Sequence, residues 1–410
     1  MRFLPLLAAA ASTGLPHGGA DPSELSNNAA CRALGFPDLA PYRRALPLAS
    51  PYGAATNATP IFLPFFSSAP LHASTAAAAV VFIHGLLGDA NSYWCEGMAA
   101  SAAHPSTLVI APWFGNEASA GAYWNAEDAA SETLFWSNSR WSTGGTNTAP
   151  PKGWSTSFDL LDALLRALPP SVALVSVVGF SAGAQLSGRY ALATPLGGPA
   201  DSFAPHVRFF VGDPGSFVYL SPERPAAACS PLFDTGPAHT CGAFATPTAA
   251  CAGYDEYKYG LQALGYLNLY LAPLERNATA RAEAVARFAA KDLRIFLGSE
   301  DACNCNAEGY VQPGSGVCTP EGGALYCSPD AFGGPGCCDT YPDAPQANSL
   351  DYSCAAMLQG SNRLQRGLNY ASHLQRALPG YRAQVVTGAF GHNSSGMYGD
   401  AAFQAAAYSL

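Results

Sequence analysis

Residues 172–183, which read VALVSVVGFSAG, limit the possible folds of this chain more than any other stretch. The first seven residues are almost all apolar and rich in β-branched side chains, which is typical of a parallel strand buried on both faces. The run continues into Gly179–Gly183, a glycine-x-serine-x-glycine pattern, and a helix-like segment, Ala184–Leu192, follows. The pattern alone is weak in a glycine-rich chain. Between a strand and a helix, however, it predicts a nucleophile elbow, a strained turn that exposes the hydroxyl of Ser181.

Composition limits the classes of protein to which the chain can belong. Its 410 residues suit one large α/β domain with insertions, or two domains. A hydrophobic content of 49% with only 12% charged residues indicates a globular chain with a large core. The net charge of -9 argues against nucleic acid as a partner, since nucleic-acid binders carry basic patches. No pattern in the sequence indicates a cofactor.

The first twenty residues are typical of a signal peptide. Arg2 supplies the positive start, Phe3–Ala11 the apolar region, and Ala20 one candidate cleavage site. No later apolar run is long enough to span a bilayer. We therefore expect residues 1–20 to be removed, residues 21–410 to form the mature domain, and the protein to be secreted or luminal without a membrane span.

Cysteines and glycosylation sequons agree with that compartment. The chain has 12 cysteines, an even number, for which disulfides are the expected state after a secretory start. Sequons begin at Asn57, Asn277 and Asn393. Seven of the cysteines are clustered; they are Cys303, Cys305, Cys318, Cys327, Cys337, Cys338 and Cys354. A zinc site would need reduced thiolates, so the sequence favours disulfides and predicts no metal; because seven is odd, at least one bridge should leave the cluster.

A second buried strand supplies the other half of the expected site. Ala78–Ile83 is wholly apolar and ends at His84-Gly85. A glycine at the end of such a strand lets the backbone approach a substrate, with an N–H aimed at a developing negative charge. The predicted oxyanion donors are the N–H groups of Leu86 and of Ala182, the residue after the nucleophile. His84 is interpreted as a structural histidine that shapes this loop.

All six tryptophans lie between Trp94 and Trp154, many of them in a loop-like segment dense in Asn, Ser and Gly. Because the segment falls between the oxyanion strand and the nucleophile strand, we expect it to lie near the cleft. One interpretation makes it a binding wall for an aromatic, sugar or polymer substrate, with Trp113 and Trp154 as substrate-binding residues. The alternative is a satellite core beneath a long loop.

The remaining pattern predicts an α/β chain with insertions. Insertions are expected at about 112–154, 221–260 and 302–350, the second as part of a lid or cap and the third stapled by disulfides. Further strands are predicted at Ile61–Phe66, Thr107–Ala111, Val207–Gly212, Leu293–Leu297 and Ala383–Thr387, and helices at Phe158–Leu168, Thr279–Lys291 and Gly360–Leu378.

A serine hydroxyl needs a base, and the base needs an orienting carboxylate. Chains with this elbow place the partners in the order serine, acid, histidine. Of the two histidines in the C-terminal part, His392 follows the last strand and is preferred over His373, which lies in a predicted helix. Asp301, three residues after the strand-ending glycine, is the preferred acid; Asp213 and Glu300 remain alternatives.

These residues carry a resemblance. The chain resembles α/β-hydrolases, and more narrowly a group of poorly characterised secreted serine hydrolases of fungi, plants and algae. The shared features span roughly residues 80–400; they are His84-Gly85, 110–113 (IAPW), Gly179–Gly183, 214–219 (PGSFVY), 257–260 (YKYG), 351–354 (DYSC), Gln359-Gly360, Arg363, Arg366-Gly367 and Gly391-His392. The resemblance implies a mostly parallel central sheet with helices on both faces. The group usually has Asn at the position of Asp213, which favours Asp301 as the acid.

The predicted function is that of a secreted serine hydrolase, esterase-like or lipase-like, that cleaves carboxylic esters through Ser181, His392 and Asp301 and an acyl-enzyme. The expected partner is a small-molecule or polymeric ester; the oligomeric state is open. Peptidase or other acyl-hydrolase activity is one alternative. A non-catalytic binding module of the same fold is another, although its usual mark, loss of the serine, acid or histidine, is missing here.

Overall fold

The structure is a computed structural model. It describes residues 29–49, 51–52, 61–116, 134–137, 139–148, 152–197, 201–226, 242–247, 251–266, 268–299, 301, 318–321, 324–327, 350–351, 353–360 and 362–409. The strands of the main sheet are β1 (Arg43–Pro47), β2 (Phe62–Ser67), β3 (Ala78–Ile83), β4 (Thr107–Pro112), β5 (Leu174–Phe180), β6 (His206–Gly212), β7 (Asp292–Gly298) and β8 (Gln384–Gly388). The α-helices are α1 (Ala29–Ala33), α2 (Ala90–Ala100), α3 (Ser157–Arg166), α4 (Ala182–Ala193), α5 (Ala272–Arg276), α6 (Ala278–Ala289), α7 (Cys354–Met357), α8 (Arg363–Ala377), α9 (Ser394–Gly399) and α10 (Ala401–Tyr408).

The main sheet has eight strands in the order β1-β2-β4-β3-β5-β6-β7-β8. The pairs β1–β2 and β2–β4 are antiparallel, and every other neighbouring pair is parallel. Small two-stranded pairings lie outside it, such as Arg224–Pro225 with Phe244–Ala245. The mostly parallel sheet and its strand order are those of the α/β-hydrolase fold, so the predicted fold class is confirmed.

The sheet is covered by apolar layers on both faces, which explains why its central strands show no polar alternation. In β3, Val81 and Ile83 belong to one core cluster, and Val80 and Phe82 belong to the other. Helices α3, α4 and α8 contribute to the first cluster, while α2 and α10 contribute to the second. Successive strand residues point to opposite faces, so an unbroken apolar run is what a sheet between two helical layers requires.

The predicted elements agree with the observed ones to within a few residues. β3 has the predicted bounds, and α8 begins three residues later than predicted, after the N-cap Asn362. Helix α3 begins at a capping box, in which Thr156 and Asp159 pair reciprocally. The predicted signal peptide lies outside the described residues, as does nearly all of the 302–350 insertion. The division into leader, domain and insertions therefore stays a prediction.

Two disulfides are present in the described part of the chain, Cys31–Cys95 and Cys251–Cys354. The second joins the predicted 221–260 insertion to the last cysteine of the cluster, so the prediction that one bridge leaves the cluster is confirmed. Among the residues described, no helix combines the length and the apolar character needed to cross a membrane.

Candidate active site

Ser181 lies in a sharp turn between β5 and α4. Its backbone angles are φ 57° and ψ -119°, a conformation that residues with a side chain rarely adopt. Two glycines make the turn possible, because a Cβ on Gly179 would lie 2.1 Å from the carbonyl oxygen of Gly183. A Cβ on Gly183 would lie 2.1 Å from the carbonyl oxygen of Ile83. The turn therefore presses the start of α4 against the end of β3 and leaves Ser181 partly exposed.

Three predicted side chains meet at the carboxyl edge of the sheet, where β5, β7 and β8 end. The Ser181 hydroxyl lies 2.9 Å from Nε2 of His392, and Nδ1 of His392 lies 2.6 Å from Oδ2 of Asp301. An ionised carboxylate can only accept a hydrogen bond, so Nδ1 carries the proton and Nε2 is free to accept the serine proton. The arrangement is a hydroxyl, a base and an orienting carboxylate in one hydrogen-bonded chain.

The electrostatics of the three groups suit a neutral imidazole beside an ionised acid. Burial lowers the pKa of His392 and Arg363 lowers it further, while Asp301 opposes both. Burial acts to raise the pKa of Asp301, but His392 and then Arg363 outweigh it and hold that pKa below its usual value. Nη1 of Arg363 lies 3.5 Å from Oδ1 of Asp301. His392 is therefore unprotonated and ready to act as a base at neutral pH.

The alternative candidates for the base and the acid are not part of the hydrogen-bonded chain from Ser181 to Asp301. His373 lies in α8 and is buried, and its Nε2 accepts a hydrogen bond from the N–H of Leu220 at 2.9 Å. Asp213 follows β6 and is fully buried; both of its carboxyl oxygens face the N–H of Gly298, at 3.0 and 3.1 Å. No hydrogen bond joins Asp213 to His392 among the described contacts. Glu300 lies outside the described residues.

The loop after β3 is held by His84. Its Nε2 accepts the N–H of Phe114 at 3.0 Å, so Nδ1 carries the proton and donates to the carbonyl of Gly85 at 2.8 Å. Because C=O and N–H point in opposite directions across a trans peptide, this bond turns the N–H of Leu86 away from the imidazole. Burial lowers the pKa of His84 to about 4, with a smaller opposing effect from Gly85. His84 is thus neutral and buried, as a structural histidine should be.

The residues of the two predicted oxyanion donors, Leu86 and Ala182, lie near Ser181. Ala182 is the first residue of α4, where a helix N–H has no partner within the helix. A Cβ on Gly85 would lie 3.9 Å from the Cβ of Ser181, which places the 84–88 loop directly beside the serine. Leu86 and Leu87 are 43% and 71% exposed, so this loop presents apolar side chains to solvent at the site.

The predicted substrate-binding role of Trp113 and Trp154 is corrected, because both side chains lie in the core. Each is only 1% exposed, and Nε1 of Trp113 donates to the carbonyl of Gly88 at 2.9 Å. Trp141, also buried, packs against the ring of His84, with centroids 4.5 Å apart. Trp113 and Trp141 thereby pack against the 84–88 loop. The satellite-core interpretation therefore holds for the part of this segment that the structure describes.

Several residues that support the site are not evident from local sequence. Arg363 is marked only as part of the resemblance, and its ion pair with Asp301 depends on how α8 packs. Glu96 of α2 accepts a hydrogen bond from Ser394, two residues after His392, at 2.7 Å. Burial raises the pKa of Glu96 to about 7. No local pattern predicts either contact, because both join segments far apart in sequence.

One group of three potential metal ligands occurs in the described part of the chain: Asp213, Asp301 and His392. Both ring nitrogens of His392 are already engaged, one by Asp301 and the other by Ser181. A metal ion would have to displace one of these bonds, so the donor set fits the hydrogen-bonded chain better than a metal centre.

Neither the comparison with protein-family models nor that with curated proteins gives a match. Among solved structures, the chain is similar to poly(aspartic acid) hydrolase-1 from Sphingomonas sp. KT-1, with a TM-score of 0.49, 16% identity, and coverage of 90% of this chain and 99% of that one. It is similar to LpqC, a poly(3-hydroxybutyrate) depolymerase from Bordetella parapertussis, with a TM-score of 0.45, 19% identity, and coverage of 94% and 98%. It is also similar to carboxyl esterase 2 from Tuber melanosporum, with a TM-score of 0.36, 13% identity, and coverage of 89% and 85%. The fold assignment depends on the strand order described above, and the activities of these proteins remain theirs alone.

Proposed function

We propose that this chain is a serine hydrolase that cleaves carboxylic esters, with Ser181 as nucleophile, His392 as general base and Asp301 as the orienting acid. The observation that carries the proposal is the continuous hydrogen-bonded chain from the Ser181 hydroxyl through His392 to Asp301, at 2.9 and 2.6 Å. The backbone of Ser181 is strained, and strained residues of this kind are typical of functional sites, where the position of the side chain offsets the conformational energy.

The reaction begins with proton transfer from the Ser181 hydroxyl to Nε2 of His392, while the serine oxygen attacks the ester carbonyl. The resulting imidazolium is stabilised by Asp301, which remains ionised. The N–H groups of Leu86 and Ala182 are the proposed donors to the carbonyl oxygen as it becomes negative. His392 then protonates the leaving alcohol, and a water molecule, activated by the same imidazole, releases the acid from the acyl-enzyme.

The proposed setting is extracellular or within the lumen of the secretory pathway. The disulfides Cys31–Cys95 and Cys251–Cys354 support this setting, because such bonds persist in oxidising compartments. The predicted leader and the sequon at Asn277, an exposed residue whose side chain caps α6, are in keeping with it.

The test is hydrolysis of p-nitrophenyl esters with acyl chains from two to sixteen carbons. We expect Ser181→Ala to lower kcat by about 10⁴-fold or more. Ser187→Ala is the matched control, because this buried serine of α4 bonds the carbonyl of Val177 and takes no part in the site. The acyl-length profile would distinguish a short-chain esterase from a lipase.

Two other results would favour a different function. Labelling of Ser181 by a serine-directed phosphonate without turnover of any ester would indicate a peptidase or another acyl hydrolase. If the protein shows no labelling and no turnover, that result would contradict a hydrolytic function and favour a binding module of the same fold.

A further inference from the structure

A second buried carboxyl group, that of Asp213, lies next to Asp301, the acid of the proposed site. One carboxyl oxygen each from Asp213 and Asp301 and one ring nitrogen of His392 all lie within 4.8 Å of one another. Oδ1 of Asp301 is buried and has no hydrogen-bond partner among the described residues, so it is open to a donor from a neighbouring group. Asp213 is fully buried and Asp301 is 1% exposed, so the pair is shielded from bulk solvent.

Two ionised carboxylates this close together in a buried site would repel each other, and neither could donate a hydrogen bond to the other. One of the pair must therefore carry a proton. The charged and titratable groups that face the pair are His392, whose Nδ1 lies 2.6 Å from Oδ2 of Asp301, and Arg363, whose Nη1 lies 3.5 Å from Oδ1 of the same residue. Both of these donors face Asp301, which makes Asp301 the ionised member.

The surroundings of Asp213 are those of a neutral acid. Its two oxygens share the backbone N–H of Gly298, at 3.0 and 3.1 Å. Burial, followed by the charge of Asp301, raises the pKa of Asp213 well above its usual value. With Asp213 protonated, the charges of Asp301 and Arg363 cancel, whereas a second carboxylate would leave an uncompensated charge in the core.

The backbone holds Asp213 in this place at some conformational cost. Its φ is 44°, in the left-handed region, and its N–H donates to the carbonyl of Phe296 at 3.1 Å. This bond ties the turn after β6 to the end of β7. Asp301 follows β7 by three residues, so the same tie keeps the two carboxyl groups at neighbouring strand ends.

We propose that Asp213 is a positioning residue that stays protonated at neutral pH and donates its proton in a hydrogen bond to Asp301. This inference rests on the proposed function, since it assigns Asp301 the role of the ionised acid. The bond fixes the Asp301 carboxylate against Nδ1 of His392 and draws off part of its negative charge. Asp213 itself does not touch the substrate or the reacting atoms.

Two substitutions at Asp213 and one at Asp301 test the proposal. Asp213→Asn keeps a donor toward Asp301 and an acceptor for the Gly298 N–H, so we expect kcat to fall by no more than about threefold. Asp213→Ala removes both, and misplacement of Asp301 should lower kcat by about tenfold to 100-fold. Asp301→Asn should lower kcat by about 10⁴-fold, as loss of an orienting acid does.

The pH profile of kcat/KM supplies a readout that a merely structural role would not move. Without the Asp213 proton, Asp301 concentrates its charge on His392, so the acidic limb should move to higher pH in Asp213→Ala and stay near the wild-type position in Asp213→Asn. A loss in Asp213→Asn as large as that in Asp301→Asn would overturn the proposal, because Asp213 would then be an ionised acid. So would an Asp213→Ala variant with wild-type kcat and pH profile.

Infrared spectroscopy tests the proton without using activity. The difference spectrum between wild type and Asp213→Asn at neutral pH should contain the carbonyl stretch of a protonated carboxylic acid, and its absence would overturn the proposal. If the wild-type protein hydrolyses no ester and takes up no phosphonate, the proposed function fails, while this band still reports on Asp213. The band also decides the matter if Asp213→Ala does not fold.

Discussion

Among single residues, His84 has different hydrogen-bond partners from His392, the proposed base. His84 uses both ring nitrogens to connect two loops, the carbonyl of Gly85 at one side and the N–H of Phe114 at the other. His392 uses both of its nitrogens as well, but its partners are a hydroxyl and a carboxylate. The partner atoms, rather than burial, separate a structural imidazole from one that can move a proton.

Neutral His84 makes stability depend on pH. Burial lowers its pKa from 6.5 to about 4, so the unfolded chain takes up a proton before the folded one does. Its contribution to stability is complete above pH 6.5 and is lost as the pH falls through about 4. The contribution of Glu96 to stability has the opposite pH dependence, because burial raises its pKa from 4.5 to about 7. That contribution is lost as the pH rises through about 7.

We therefore expect the fall in unfolding free energy between about pH 7 and pH 4.5 to be smaller in His84→Gln than in the wild type, by about 2 kcal/mol. Urea denaturation at the two pH values measures this difference. His72→Gln, at an exposed position, is the control for loss of an imidazole. Equal falls in His84→Gln and wild type would contradict a buried, neutral His84.

Among the secondary-structure elements, the strand–turn–helix unit of β5 and α4 depends on glycine only where backbone meets backbone. Gly183 packs on the end of β3, and its missing side chain lets the helix start close to the carbonyl oxygens of Ile83 and His84. Gly188 lies farther along the same helix, where a Cβ would be 3.4 Å from a methyl group of Val211, an ordinary contact. The helix therefore needs glycine at position 183, where a Cβ would meet backbone atoms, whereas position 188 has room for a Cβ.

Gly183→Ala should destabilise the protein by about 1–3 kcal/mol and reduce the proposed esterase activity, because the added methyl collides with the carbonyl oxygens of Ile83 and His84. Gly188→Ala, its matched control, should be neutral or stabilise the protein by up to about 1 kcal/mol, since alanine favours a helix interior over glycine. Thermal melting and ester turnover measure both effects. Similar melting temperatures for the two variants would show that the elbow has room for a Cβ.

Across the whole molecule, the disulfide Cys251–Cys354 joins segments that are 103 residues apart in the chain. It lies beside the network in which Tyr259 donates to Asp351 at 2.5 Å and Lys258 pairs with the same carboxylate at 2.9 Å. These contacts connect the part of the 221–260 region that the structure describes to the segment before α8. That segment leads into the helix that carries Arg363.

The double variant Cys251→Ala/Cys354→Ala should lose about 2–4 kcal/mol of unfolding free energy, because the bridge restricts a long loop in the unfolded chain. Chemical denaturation of oxidised protein measures the loss. Peptide mapping without reduction should recover the two cysteines in one linked fragment. Recovery of either cysteine linked to another partner would contradict the pairing.

Local sequence patterns are enough to predict the secondary-structure elements and the types of residue at the candidate site. Strand β3 and the elbow at Ser181 are such patterns, in which hydrophobicity, β-branching and glycine spacing act over a dozen residues. The order serine, acid, histidine then narrows the choice of partners to a few strand ends. Local preference and burial agree along these segments, and that agreement is why they can be predicted.

Which strand ends meet depends on the packing of the folded chain. His392 is 211 residues from Ser181, and its distance to the serine depends on the packing of the whole sheet. The same packing places Asp213 against Asp301, although the sequence leaves them as competitors, and buries Trp113 where an exposed wall is expected. Contacts between distant segments arise from the summed packing of many side chains, and no local pattern encodes them.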